Sequence, residues 1–239
     1  MSDVTVIMPT YNESQNIRPL IARTLAALDG RDVEILVVDD NSPDGTWQIV
    51  EELAGADRRV ALYRRLHERG LTSAIWAGVT RANSQIVVWM DCDLSMPPER
   101  IPDLLAPIEA GRADIVIGSR YARGGRDVGH SWVGKAFSRV INFFAGLFLG
   151  FGITDYTSGF VAARRAVFDR LALRGDYGEY CIDLLYRARR LGLRVAEVPY
   201  TCVERLAGES KTAVNPWGYV RRGVKYVTTI LRLRFAPGR

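Results

Sequence analysis

The chain has 239 residues, 48% of them hydrophobic and 25% charged. That is enough apolar material for one large core and too ordinary a charge content for a disordered chain, so one α/β domain with added parts is expected. The net charge of +5 suits an anionic partner (nucleotide, nucleic acid or lipid headgroup), and three widely spaced cysteines, Cys92, Cys181 and Cys202, exclude a disulfide framework and a cysteine-rich metal site, which fits a reducing cytosol.

In chain order, "VTVIM" (4–8) reads as a buried strand ended by Pro9. Residues 13–28 have helical apolar spacing at Ile17, Leu20, Ile21, Leu25 and Leu28. "VEILVVDD" (33–40) is a second strand closing on two acids. The turn "NSPDGT" (41–46) then leads into a helix over 46–55. A third strand spans 59–65, and a helix follows Gly70 to about residue 83. "QIVVWMD" (85–91) is a fourth strand, 98–110 a helix, and "ADIVIGSR" (113–120) a fifth strand. Beyond a Gly-rich loop, an apolar helix is expected over 133–150, a short strand and helix over 154–171, and a helix over 178–191. A strand over 194–200, a polar loop over 204–212 and a last helix over 215–234 complete the series. Apolar strands alternating with amphipathic helices indicate a mostly parallel sheet with helices on both faces. The expected division is one α/β domain over 1–214, holding the functional site, and a basic amphipathic helix over 215–239. No basic-then-apolar leader opens the chain, and the longest apolar run, 140–153, falls short of the ~20 residues that span a bilayer.

In parallel sheets ligands bind beyond the C-terminal strand ends. The second and fourth strands both finish there in acids: Asp39 and Asp40, then Asp91 and Asp93 in "MDCDLSMPPE". Carboxylates at i and i+2 converge on a hard divalent cation or on sugar hydroxyls. An Asp-x-Asp alone is most often a solvated turn; directly after an apolar strand it favours function. Haloacid-dehalogenase-like phosphatases use the same pattern, normally on their first strand rather than the fourth. His67 and His130, the only histidines, lie far apart, so a histidine-based triad is not expected.

Six segments in this order resemble family 2 glycosyltransferases of the GT-A fold, within them the polyprenyl-phosphate hexosyltransferase group. They are "MPTYNE" (8–13), "VVDDNSPDGT" (37–46), "MDCDLSMPPE" (90–99), "GSRY" (118–121), "DYTSGF" (155–160) and "RLAGESK" (205–211). The resemblance implies transfer of a hexose, mannose from GDP-mannose, to a polyprenyl monophosphate, with inversion and with Mg²⁺ or Mn²⁺. It implies donor contacts at Pro9, Tyr11, Glu13, Val38, Asp40, Asp91, Cys92, Asp93, Arg120, Arg205 and Lys211. Asp91, Asp93, Arg120, Arg205 and Lys211 would carry catalysis, and Asp91, Asp93 and Ser95 the metal. Similar enzymes often have Gln where Ser95 stands, a longer ligand. Lys135, Ser138 and Arg126 are the candidates for the acceptor phosphate.

The acceptor's tail needs a membrane. The segment 135–153, with its basic start and apolar body, suits an interface helix or a core helix equally. The last helix sets Trp217, Val220, Val224, Val227 and Leu231 beside Arg221, Arg222, Lys225, Arg232 and Arg234, as a peripheral helix on the cytosolic face of a membrane would. A membrane-anchoring subunit is a further expected partner; nucleic acid is not. Two alternatives stay open: a UDP-sugar-dependent family 2 enzyme acting on polyprenyl phosphate or a polysaccharide, and a non-catalytic basic binding module.

Overall fold

The structure is a computed structural model that describes residues 2–206 and 216–235, the last segment with side chains from 223 onward. A seven-stranded sheet organises it, in the order β3-β2-β1-β4-β7-β5-β8. The strands are β1 (Val4–Thr10), β2 (Val33–Asp39), β3 (Val60–Arg64), β4 (Ile86–Trp89), β5 (Ile115–Ser119), β7 (Val161–Arg164) and β8 (Val195–Pro199). All neighbours are parallel except β7, which runs antiparallel to both β4 and β5. A separate two-stranded sheet joins β6 (Arg126–Asp127) to β9 (Thr201–Cys202) in parallel.

Alternate residues of each central strand enter opposite halves of the core, as the two-residue period of a strand requires. Ile7, Leu36, Val38, Val87 and Trp89 face one half, filled by α3 (Leu71–Arg81), α5 (Trp132–Leu149) and α6 (Glu179–Arg190). Val4, Val6, Met8, Val33, Ile35 and Val88 face the other, filled by α1 (Ile17–Ala27), α2 (Thr46–Ala56) and α4 (Ile101–Glu109). Both faces are covered, which is why these strands read as unbroken apolar runs. Packing at the centre is close. A Cβ added to Gly78 of α3 would stand 2.4 Å from Ile7 Cγ2. Buried Trp89 donates its indole N–H to the Tyr180 hydroxyl at 2.8 Å, so its one polar atom is satisfied.

Three expectations are corrected. The fourth strand stops at Trp89 rather than 91, which frees residues 90–95 to form a loop. The segment after Phe160 is a strand followed by a short 3₁₀ turn, Arg165–Asp169, not a strand and α-helix. Its strand runs against the rest of the sheet. The Gly-rich loop also contributes β6.

The apolar helix answers both of its readings at once. Ile141, Ala145 and Leu149 of α5 join the core. Its opposite face leaves Trp132, Val140, Phe143, Phe144 and Leu147 exposed, continued by Phe151. α7 (Pro216–Phe235) packs on α5 and α6, with Phe137 edge-on to Tyr226 and Phe148 edge-on to Phe235. Val224, Val227 and Leu231 remain exposed on it. Among the described residues no helix is long and apolar enough to cross a membrane.

Candidate active site

The C-terminal ends of β1, β2, β4 and β5 share one edge, and the loops leaving them are tied together by their own polar side chains. Asp39 is fully buried and accepts from the Thr10 hydroxyl at 2.7 Å, the Ser42 backbone N–H at 2.8 Å and the Ser42 hydroxyl at 2.6 Å. Its carboxylate holds the loop after β1 against the loop after β2. Asp40 braces a third loop. Its two oxygens accept from Arg65 Nε at 2.7 Å and from the Gly70 backbone N–H at 2.8 Å. Gly70 has φ +144°, a backbone state that disfavours any side chain, and α3 begins directly after it.

Asp91 and Asp93 stand in the loop beyond β4. Leu94 has φ +65°, the left-handed region that a branched side chain enters at a cost of about 1–2 kcal/mol. That turn lets Asp93 Oδ1 accept from the Ser95 backbone N–H at 3.0 Å while Oδ2 meets Arg205 Nη2 at 3.0 Å. Arg205 is held there because the Val203 and Leu206 backbone N–H groups donate to the carbonyls of Ser95 and Asp93. Burial, reinforced by the charges of Asp93 and Glu13, pushes the Asp91 carboxyl up to about 6. Gly159 faces this acid: a Cβ there would lie 3.4 Å from Asp91 Oδ1, so the "SGF" segment packs directly on the carboxylate.

Two oxygen-donor carboxylates with crowded negative charge fit a hard divalent cation, which would offset the burial and repulsion that lift Asp91. Asp91 and Asp93 would hold it. Ser95 supports Asp93 through its backbone N–H.

Two cavities, of about 290 and 380 Å³, open beside this pair. The first is lined by Pro9, Tyr11, Glu13, Asp40 and Cys92, with Arg69 stacked over the Tyr11 ring at 4.3 Å. The second is lined by Ser95, Arg120, His130, Ser138, Thr157 and Ser158. Leu71, Asp91, Asp93, Tyr177 and Arg205 line both.

Arg120 sits almost wholly inside the protein and grips the fully buried Asp155, with Nε to Oδ2 and Nη2 to Oδ1 both at 2.8 Å. Nη2 also reaches the Thr157 hydroxyl at 2.8 Å and Ser138 at 3.3 Å. Burial alone would lower the Arg120 guanidinium; Asp155 instead holds it well above its usual value. Asp155 is thus an anchor within the wall and lines neither cavity. Thr157 lines the second cavity beside it.

Three expected ligands stand apart. Val38 is fully buried in the core, because strand alternation turns it inward, and lines neither cavity. Arg126 is exposed on β6 and Lys135 is half-buried in the first turn of α5, and neither lines the second cavity. Ser131, Gly134 and Ser138 of that helix do, and Lys135 is one step round from them. Lys211, and most of the polar loop around it, lies outside the described residues. Sequence reasoning missed Arg69, Tyr177 and His130. The signal for Arg69 was Gly70 before a helix; for His130 it was Asp127 three residues earlier.

A family model described as glycosyl transferase family 2 matches residues 5–172. The chain belongs to that family. It is 42% identical to a polyprenol monophosphomannose synthase of Mycolicibacterium smegmatis, over 86% of this chain and 79% of the relative. It is 39% identical to a dolichol-phosphate mannosyltransferase of Pyrococcus furiosus, over 87% of this chain and 58% of that protein's length. It is 37% identical to an undecaprenyl-phosphate mannosyltransferase of Micrococcus luteus, over 92% and 95%. Among solved structures, a glucosyl-3-phosphoglycerate synthase of Mycobacterium tuberculosis, in complex with Mn²⁺, UDP and phosphoglyceric acid, superposes with a TM-score of 0.75. It covers 99% of this chain and 80% of that one at 20% identity, a likeness of fold. The fold is the mostly parallel GT-A type expected of family 2.

Proposed function

We propose that this glycosyltransferase moves a mannosyl group from GDP-mannose to a polyprenyl monophosphate, with inversion, at the cytosolic surface of a membrane. The observation that carries this is the wall of five residues common to both cavities, with the acid pair at its centre. A donor in the first cavity and an acceptor in the second would meet at Asp91 and Asp93. The names of the relatives supply the substrate classes.

A phosphate monoester has its second pKa near ~6 and is largely dianionic at neutral pH, so its oxygen attacks without a strong general base. The residues around it have other tasks. Tyr11, Glu13, Asp40 and Arg69 bound the nucleotide's cavity. Arg205 meets negative charge as it develops on the leaving diphosphate. Arg120, clamped by Asp155, orients the Ser138 and Thr157 hydroxyls on the acceptor side. When bound, Mg²⁺ or Mn²⁺ at Asp91 and Asp93 supplies Lewis-acid neutralisation of the diphosphate. The exposed apolar stripe of α5, together with that of α7, is the surface that takes the acceptor's lipid environment.

The test is a panel of radiolabelled nucleotide sugars against a polyprenyl phosphate, with and without Mn²⁺ and with Asp93→Asn as control. Lipid-extractable product from GDP-mannose, lost with chelator and in the variant, is expected. Product from a UDP-sugar alone would replace the donor assignment; phosphate release from a simple monoester would replace the reaction.

A further inference from the structure

A phosphate dianion entering the second cavity needs positive charge and hydrogen-bond donors to replace the water it loses. The described cations lining that cavity are Arg120, Arg205 and His130. Arg120 is already neutralised by Asp155, and its Nε and Nη2 are taken. Arg205 is paired with Asp93. His130 differs. Its Nδ1 faces Asp127, at 2.9 Å from Oδ1 and 3.1 Å from Oδ2, with Cys202 Sγ at 3.8 Å. Its Nε2 has no hydrogen-bond partner among the described residues, and 46% of the side chain is open.

The backbone fixes this ring. The His130 N–H also bonds Asp127 Oδ1, at 3.2 Å, and Ser131 next in line caps α5 by accepting from the Gly134 N–H. Asp127 is held in turn by β6 pairing with β9 and by Arg120 Nη1, 3.6 Å from its Oδ2. Gly129 permits the crossing: a Cβ there would stand 1.9 Å from the Val203 carbonyl.

We infer that His130, oriented by Asp127, donates its Nε2–H to the phosphate of the lipid acceptor and supplies the positive charge of that seat. The assignment rests on the transferase reading above and names a residue of its acceptor site. Asp127 accepts the Nδ1–H and favours the imidazolium, the form in which the open Nε2 also carries a proton: the ring is raised from 6.5 to about 9, first by the Asp127 hydrogen bond and then by Cys202. The other charged groups lining this cavity are Arg120 and Arg205, which work against protonation, and Asp91 and Asp93, which favour it. With the acceptor becoming dianionic above ~6, seat and ligand carry opposite charge between about 6 and about 9.

Because the chain has only two histidines, its imidazole spectrum holds two Cε1–H signals, one per ring. Geranyl phosphate, a soluble prenyl monophosphate, is the probe for the whole chain. The Cε1–H signal missing in His130→Ala is expected to titrate at about 9. It should move with geranyl phosphate and not with geraniol. In transfer assays, His130→Ala should raise KM for polyprenyl phosphate roughly ten- to a hundred-fold, the effect of losing one charged hydrogen bond. The affinity for nucleoside diphosphate should stay within about two-fold, and His130→Lys should recover part of the KM. Asp127→Asn keeps the ring but should bring the basic limb of the KM profile down toward 6.5. A His130 signal indifferent to geranyl phosphate, or an unchanged KM, overturns the seat while leaving the transferase intact. A signal that responds in an enzyme transferring no sugar to any prenyl phosphate sinks the transferase alone. Inorganic phosphate as effective as geranyl phosphate at equal concentration makes it a plain anion site and ends the acceptor assignment. Stoichiometric zinc held through Nδ1 and lost in Cys202→Ser would likewise reassign the ring.

Discussion

The two halves of the sheet are built differently. On the β3-β2-β1-β4 side every strand is parallel, and much of the first cavity's lining lies at or just beyond a strand end: Pro9 within the end of β1, then Tyr11, Asp40, Asp91 and Cys92. On the β7-β5-β8 side one strand is reversed. The second cavity gathers Arg120, His130, Ser138, Thr157 and Arg205 from five separate segments. The first half is an apolar clamp whose loops are braced at the lip by Asp39 and by the buried Asp40–Arg65 pair. The second is fastened by charge, with Arg120 tied to Asp155 and drawn toward Asp127. Core truncation should therefore damage the first by opening a cavity, and charge deletion the second by leaving a buried charge unpaired.

The sharpest way to break this contrast is at the wall common to both. Asp93→Asn should lower transfer roughly a hundred- to a thousand-fold, with unfolding little changed. Initial rates across a Mn²⁺ series would check it, and a variant that loses nucleotide affinity but not turnover would mean that the cavities are not joined there. Next, Arg120→Ala leaves Asp155 charged and fully buried with no cation. A loss of about 3–5 kcal/mol in urea unfolding is expected. The double variant Arg120→Met/Asp155→Leu should recover much of it. Val38→Ala is the counterpart in the first half. It should cost about 1–3 kcal/mol by opening a cavity, with kcat and both KM values preserved per folded molecule. A changed donor KM would return Val38 to the nucleotide's contacts.

The smallest effect concerns pH. His130 is held at about 9, above 6.5, so the folded chain binds this proton more tightly than the unfolded one. The resulting stabilisation is complete below about 6.5 and is lost as pH rises through about 9. The Tm gap between wild type and His130→Gln should therefore narrow between those limits. A gap constant with pH would remove Asp127 as the cause.

The same contrast explains what could be read in advance. Apolar runs ending in acids give the parallel strands and Asp91 and Asp93 directly, because a buried strand tolerates a carboxylate only where it leaves the sheet. The strand Val161–Arg164 carries no mark of its direction; four residues of β7 fit either way, and only their neighbours decide. "VVDD" reads as one block, yet alternation sends Val38 inward while Asp39 and Asp40 turn to loop bracing. Arg126 and Lys135 look like phosphate ligands because they are cations in the right segment. His130 looked inert because His67 is remote, while its partner Asp127 was three residues away.

The wall between the chambers has a pharmacological corollary. Five side chains line both compartments; if the proposed donor and acceptor occupy them, a nucleoside diphosphate and a prenyl phosphonate could be joined covalently across the wall. Such a chimera would gain from effective concentration, the second head engaging as an intramolecular event. At the five residues it straddles, no substitution could weaken its hold on one chamber without touching the other.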